Sequence, residues 1–131
     1  NDKCTRCYWL GEDPEVTLHP TFDNQNDTVD YFCFRGVDNF NIPGFGEVVK
    51  VNATGARLGM EVDLFLYFGV DDCEAGPGNA LDYAAAVGGD SEEIKWSETN
   101  SADDGVYYIA VHHYGEPSCY WPYTLSVQGL R

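Results

Sequence analysis

Two adjacent histidines, His112 and His113, lie in the run "DDGVYYIAVHHYG", residues 103–115. A histidine pair can carry a proton or ligate a metal. The run alternates as a strand does, and a strand sends successive side chains to opposite faces. His112 therefore shares a face with Tyr108, Ala110 and Tyr114, while His113 falls in phase with Ile109 and Val111. One metal ion cannot reach both without distorting the strand. His19 precedes Pro20 and has no evident partner. The chain contains neither Gly-x-Ser-x-Gly nor His-Glu-x-x-His, and an isolated serine is not a nucleophile. The expectation is a protein that is not an enzyme.

Oxygen ligands are more plentiful. "DNQNDTVD" places Asp23, Asn24, Asn26, Asp27 and Asp30 within eight residues, and calcium takes several hard oxygens at once. Asp23, Asp27 and Asp30 are the candidate calcium ligands of this loop. The pattern is not an EF-hand, since Gln25 stands at the third position and the turn glycine is missing. A second loop, "VDDCEAGPGN", offers Asp71, Asp72 and Glu74. Turns rich in Asp and Asn also serve simply to end strands, so both readings stay open. No cofactor other than calcium is expected.

Five cysteines, Cys4, Cys7, Cys33, Cys73 and Cys119, point to disulfides and an oxidising compartment. "CTRC" could be half of a zinc site, but the other three cysteines stand singly. Cys73 and Cys119 both sit in loops at strand ends, which makes a Cys73–Cys119 bridge the first choice. Cys33 faces outward on its strand, where a segment carrying Cys4 and Cys7 could be strapped over it. One cysteine is then left over. Two N-glycosylation sequons, "NDT" at Asn26 and "NAT" at Asn52, agree with an extracellular, secreted protein.

The charge narrows the partners. The chain of 131 residues has 22 acidic side chains against 7 basic ones, a net charge of -15. Lys3, Arg6, Arg35, Lys50, Arg57, Lys95 and Arg131 are scattered, whereas phosphate recognition needs clustered cations. Nucleic acid and anionic membrane surfaces are not expected as partners. At 44% hydrophobic and 15% aromatic residues, the chain has the means to build a core. No apolar run approaches the ~20 residues that span a bilayer.

The elements that must position these residues read as strands and turns. In segment 61–68, Val62, Leu64, Leu66 and Phe68 form one face, and Glu61, Asp63, Phe65 and Tyr67 the other. Segment 28–35 sets Asp30, Phe32 and Phe34 against Tyr31 and Cys33. Segment 47–54 turns Val49 and Val51 inward and Lys50 and Asn52 outward. Segments 93–97, 106–114 and 123–127 follow the same rule, with Gly-, Asp- and Asn-rich turns between them. The stretch "NALDYAAAV", 79–87, is the one helix-like piece, and it could equally be a turn or a strand. These features predict an all-β fold, an antiparallel jelly-roll-like β-sandwich over residues 15–131, with a short N-terminal extension, 1–14.

The motifs in order, "NDTVDYFCFRGV", "EVVKVNAT", "EVDLFLYF", "DDGVYYIAVHHYG" and "YTLSV", resemble the bacterial pre-peptidase C-terminal domain family. The resemblance spans about residues 16 to 127. It implies a secreted jelly-roll-like sandwich appended to exported hydrolases, with relatives that bind collagen and calcium. Asp27 and Asp30 match the Asp-x-x-Asp that contributes to the family's calcium site.

The outward aromatics supply a candidate binding surface: Phe65, Tyr67, Tyr108, His112, Tyr114 and Trp121. Such rings stack on sugars or anchor protein interfaces, or pack beneath the N-terminal extension with Trp9 as cover. Three functional readings follow. The first is a non-catalytic binding or adhesion module for extracellular matrix polymer or protein. The second is a self-assembling, glycosylated subunit of an extracellular fibre or coat. The third is a polysaccharide-binding accessory domain of a secreted hydrolase. The expected partners are thus an extracellular protein, a polysaccharide, or copies of the chain itself.

Overall fold

The structure, a computed structural model, describes residues 3–21, 29–37, 48–55, 61–85, 91–97, 104–114 and 122–130. Its strands are β1 (Tyr8–Glu12), β2 (Glu15–Leu18), β3 (Val29–Gly36), β4 (Val48–Thr54) and β5 (Glu61–Phe68), followed by β6 (Asp82–Ala84), β7 (Ser91–Ser97), β8 (Gly105–Tyr114) and β9 (Thr124–Gln128). A short helix, α1 (Val70–Ala75), follows β5, and single 3-10 turns occupy Cys4–Arg6 and Pro77–Asn79. The strands form two sheets, ordered β1-β3-β8-β5-β6 and β2-β9-β4-β7. The chain is an all-β sandwich, as its period-two patterning requires.

Alternation places the core. Phe32 and Phe34 of β3, Val62, Leu64 and Leu66 of β5, and Tyr107, Ile109 and Val111 of β8 face inward. They meet Val49, Val51 and Ala53 of β4, Ile94 of β7, and Leu125 and Val127 of β9. Tyr107 is an aromatic hub, stacked on Phe34 at 5.2 Å and edge-on to Phe68 at 5.1 Å. Within this apolar layer Asp30 is buried, and its Oδ2 accepts a hydrogen bond from the Tyr123 hydroxyl at 2.8 Å. Among the described residues no helix is long and apolar enough to cross a membrane.

Two local outcomes differ from the sequence expectations, and a third decides a stretch the sequence left open. First, Tyr8–Glu12 is no appendage: β1 is the edge strand of the five-stranded sheet, and it pairs with β3 in parallel, Trp9 opposite Cys33. The other pairings are antiparallel. The chain then crosses directly from one sheet to the other at Asp13, whose φ of 39° is left-handed, a conformation Asp tolerates better than most residues. The Asp13 N–H donates to the Arg35 carbonyl at 2.9 Å, and Asp13 Oδ1 accepts from the Val37 N–H at 3.2 Å. Gly129 lies against this crossing, where a Cβ would stand 2.6 Å from the Asp13 Cα.

Second, the loop carrying Asp71, Asp72 and Glu74 contains helix α1. Gly69 (φ 84°) and Gly76 (φ 97°) bracket it, and two carboxylates in its first turn suit the partial positive charge there. Third, the helix-like stretch 79–87 contains β6, which pairs with Leu64–Leu66 of β5.

Candidate binding surface

The outer face of the five-stranded sheet carries the aromatic row expected from the sequence, but most of it is covered. Cys4 bonds to Cys73, and Cys7 bonds to Cys33. The first bridge corrects the Cys73–Cys119 pairing: α1 carries Cys73 onto the outer face beside the turn Cys4–Arg6, which brings Cys73 to Cys4. Cys119 lies outside the described residues. The second bridge is the expected strap over Cys33.

Together the turn and α1 make a third layer over the sheet. Cys4, Cys73, Phe65, Tyr67 and Ala110 form a second buried cluster, joined by Tyr31, Val70 and Tyr108. Tyr67 is 1% exposed and Phe65 9%, so neither offers an open binding surface. Tyr108 and His112 are half-buried. Burial pushes the Tyr67 hydroxyl up to about 12, with the Tyr31 hydroxyl adding to the shift. Burial also raises Tyr31 and, with Glu74 nearby, Tyr108. Trp9 is not the cover, since it is 54% exposed. The side chain of Tyr114, and Trp121, lie outside the described residues.

The histidines part as the alternation dictates. His113 is buried on the inner face, and His112 meets the Phe65 ring edge-on at 4.9 Å on the outer one. Burial lowers the His112 imidazole below its ordinary range, which favours the neutral ring. Asp63 stands directly opposite His112 on the same face. It is 7% exposed, and its Oδ1 has no hydrogen-bond partner. Burial raises its carboxyl above the usual range, and Glu61 and Glu92 add to the shift. Sequence reasoning placed Asp63 only as an outward residue; nothing local signals that the position is enclosed.

That enclosure has a measurable sign. A carboxyl raised in the folded state loses stability as pH climbs from its ordinary pKa through the raised one, because the unfolded chain ionises first. Asp63→Asn, which removes the charge and keeps the side chain's size, is expected to raise the melting temperature at pH 7 by roughly 2–3 °C. The gain should shrink on acidification toward pH 4. Thermal melts of both proteins across that range check it, and an unchanged or lower Tm for the variant at pH 7 would contradict it.

Asp30 is held by Tyr123 in the core layer, while Asp23 and Asp27 lie outside the described residues. Asp71 and Glu74 are exposed on α1, and Asp72 Oδ1 accepts from the Asn79 amide at 3.4 Å. Among the described residues no three His, Cys, Asp or Glu side chains converge in a way that could hold a metal ion.

Two apolar features lie open at the sheet edges among the described residues. At the edge of the sandwich, Tyr8, Leu18, His19, Pro20 and Phe32 line an apolar slot of about 230 Å³. Tyr8 is 57% exposed and approaches the Phe32 ring edge-on at 6.2 Å. At the opposite edge, Tyr83 of β6 is 65% exposed and stacks on Phe65 at 6.2 Å. The "CYWL" run, with its adjacent apolar residues and no alternation, was the available signal for Tyr8 and Trp9. Comparison with protein-family models and with curated protein sequences finds no match.

Proposed function

We propose that the chain is a non-catalytic extracellular binding or adhesion module, which engages a matrix polymer or protein through the β1 edge. The observation that carries this reading is the edge itself. Strand β1 presents Tyr8 and Trp9, both more than half exposed, beside an apolar slot floored by Phe32. Aromatic rings with one wet face are the side chains most often found anchoring polymers and protein partners. An edge strand also offers unpaired backbone groups to an extended ligand. Two disulfides in so small a domain fit an oxidising, extracellular setting. The resemblance in motif order to pre-peptidase C-terminal domains supports the same reading, including its calcium-dependent form through Asp23 and Asp27.

Pull-down on insoluble collagen, cellulose and chitin, each with calcium and with chelator, tests it. Retention on one matrix, reduced at least tenfold (roughly 1.4 kcal/mol) in Tyr8→Ala/Trp9→Ala, is the expected result. Retention unaffected by the double substitution would move the surface elsewhere. Regular polymers of the purified chain by electron microscopy, with no retention on any matrix, would replace this reading with self-assembly.

A further inference from the structure

Two adjacent rows on the outer face of the four-stranded sheet are polar throughout. Thr17, Ser126, Asn52 and Glu93 lie in register across β2, β9, β4 and β7. Glu15, Gln128, Lys50 and Lys95 form the next row. A depression of about 300 Å³ opens between the rows; besides Val16 and Val127, it is lined by Glu15, Thr17, Lys50, Asn52, Ser126 and Gln128. That volume is at the small end of ligand sites. Its rim combines two hydroxyls, two amides, one ammonium and one carboxylate, a set that both donates to and accepts from sugar hydroxyls. On that rim the Asn52 side chain is exposed, and it heads the sequon Asn52-Ala53-Thr54.

We propose that Asn52 carries an N-linked glycan whose first sugars lie in this depression. The proposal rests on the extracellular reading above, because the chemistry needs an export pathway with a lipid-linked oligosaccharide donor. In the transfer, the Asn52 amide nitrogen attacks C1 of the first sugar and loses a proton. The N–C1 bond forms, the C1–oxygen bond to the lipid pyrophosphate breaks, and the lipid pyrophosphate leaves.

The fold sets the timing of that step. Asn52 and Thr54 lie on an inner strand, paired to β7 on one side and β9 on the other. The Thr54 hydroxyl is 3.4 Å from the Ser91 hydroxyl. A transferase must hold the sequon as free backbone, which a paired inner strand denies it. Transfer therefore precedes closure of the sheet. Once the sheet forms, Asn52 swings the glycan outward over Thr17 and Ser126, whose hydroxyls are 3.1 Å apart.

The full chain, secreted from a host with N-linked glycosylation, is mapped by glycopeptide mass spectrometry. Glycan at Asn52 is expected, and an unmodified Asn52 would overturn the proposal. Purified oligosaccharyltransferase with its lipid-linked donor should modify the reduced, unfolded chain and leave the folded chain untouched at this site; modification of both alike would overturn the timing. Endoglycosidase trimming to the first sugar should keep a melting temperature about 2–4 °C above that of amidase-treated protein. Thr17→Ala/Ser126→Ala should abolish that difference, and equal melting temperatures without the substitutions would remove the seat. Matrix retention of Asn52→Gln separates the two readings: its loss faults the β1 edge as the binding surface, and its persistence leaves both standing.

Discussion

Replacing Cys4 and Cys73 with alanine is expected to cost about 4 kcal/mol of stability and to lower Tm by about 10–15 °C. The bridge spans 69 residues of sequence, and a crosslink closing a loop that long removes much of the unfolded chain's freedom. Cys7→Ala/Cys33→Ala, across 26 residues, should cost slightly less, about 3.5 kcal/mol. The loops are nested, so losing both should cost less than the sum. The distinguishing readout is surface chemistry. Without the Cys4–Cys73 bridge, the turn Cys4–Arg6 is released from the sheet and Phe65, Tyr67 and Tyr108 meet water. An apolar dye should then bind the folded variant, whereas a purely entropic role would lower Tm with no dye signal. Chemical denaturation with dye titration below Tm separates the outcomes.

Tyr123→Phe is expected to be the most damaging removal of a single oxygen among the described residues. The Tyr123 hydroxyl donates to Asp30 Oδ2 at 2.8 Å, and both residues are enclosed in the core layer. Hydrogen bonds to a buried carboxylate contribute about 1.5–3 kcal/mol, and removing the donor forfeits that contribution. The loss should therefore be about 2–3 kcal/mol, or roughly 6–10 °C in Tm. Asp30→Asn keeps an acceptor for the hydroxyl and should cost less than Tyr123→Phe. The reverse order would mean that the charge, rather than the hydrogen bond, stabilises the site.

Strand phase was legible because it depends only on neighbours. Val62, Leu64 and Leu66 go inward and Phe65 and Tyr67 outward wherever β5 pairs, and the same rule separates His112 from His113. The strap over Cys33 also followed from phase, since an outward cysteine needs a partner that comes from above. What covers an outward residue was not legible, because that depends on contacts distant in sequence. Tyr67 reads as a surface aromatic until α1 and the turn Cys4–Arg6 lie over it. Cys73 reads as a loop cysteine whose partner any nearby loop could supply. β1 was missed for a different reason. Its register breaks between Trp9 and Glu12, so the segment shows no clean alternation and passes for an extension. Asp63 combines both difficulties, with a correct phase and an environment that phase does not specify.

The nesting of the two bridges has a consequence for a chain made from its N-terminus. Cys4, Cys7 and Cys33 are all synthesised before Cys73, so for a time Cys33 faces two candidate partners and Cys4 has no correct one. Pairing of β1 with β3 resolves the choice, because it sets Trp9 against Cys33 and brings Cys7 alongside. Cys4 must then wait as a thiol until α1 has been made and β8, which lies between β3 and β5, has brought β5 into the sheet. The aromatic face is thus sealed late, by the last link of a sequence that β1 begins. An edge strand that looked like an appendage acts during biogenesis as the guide that keeps the cysteines in order.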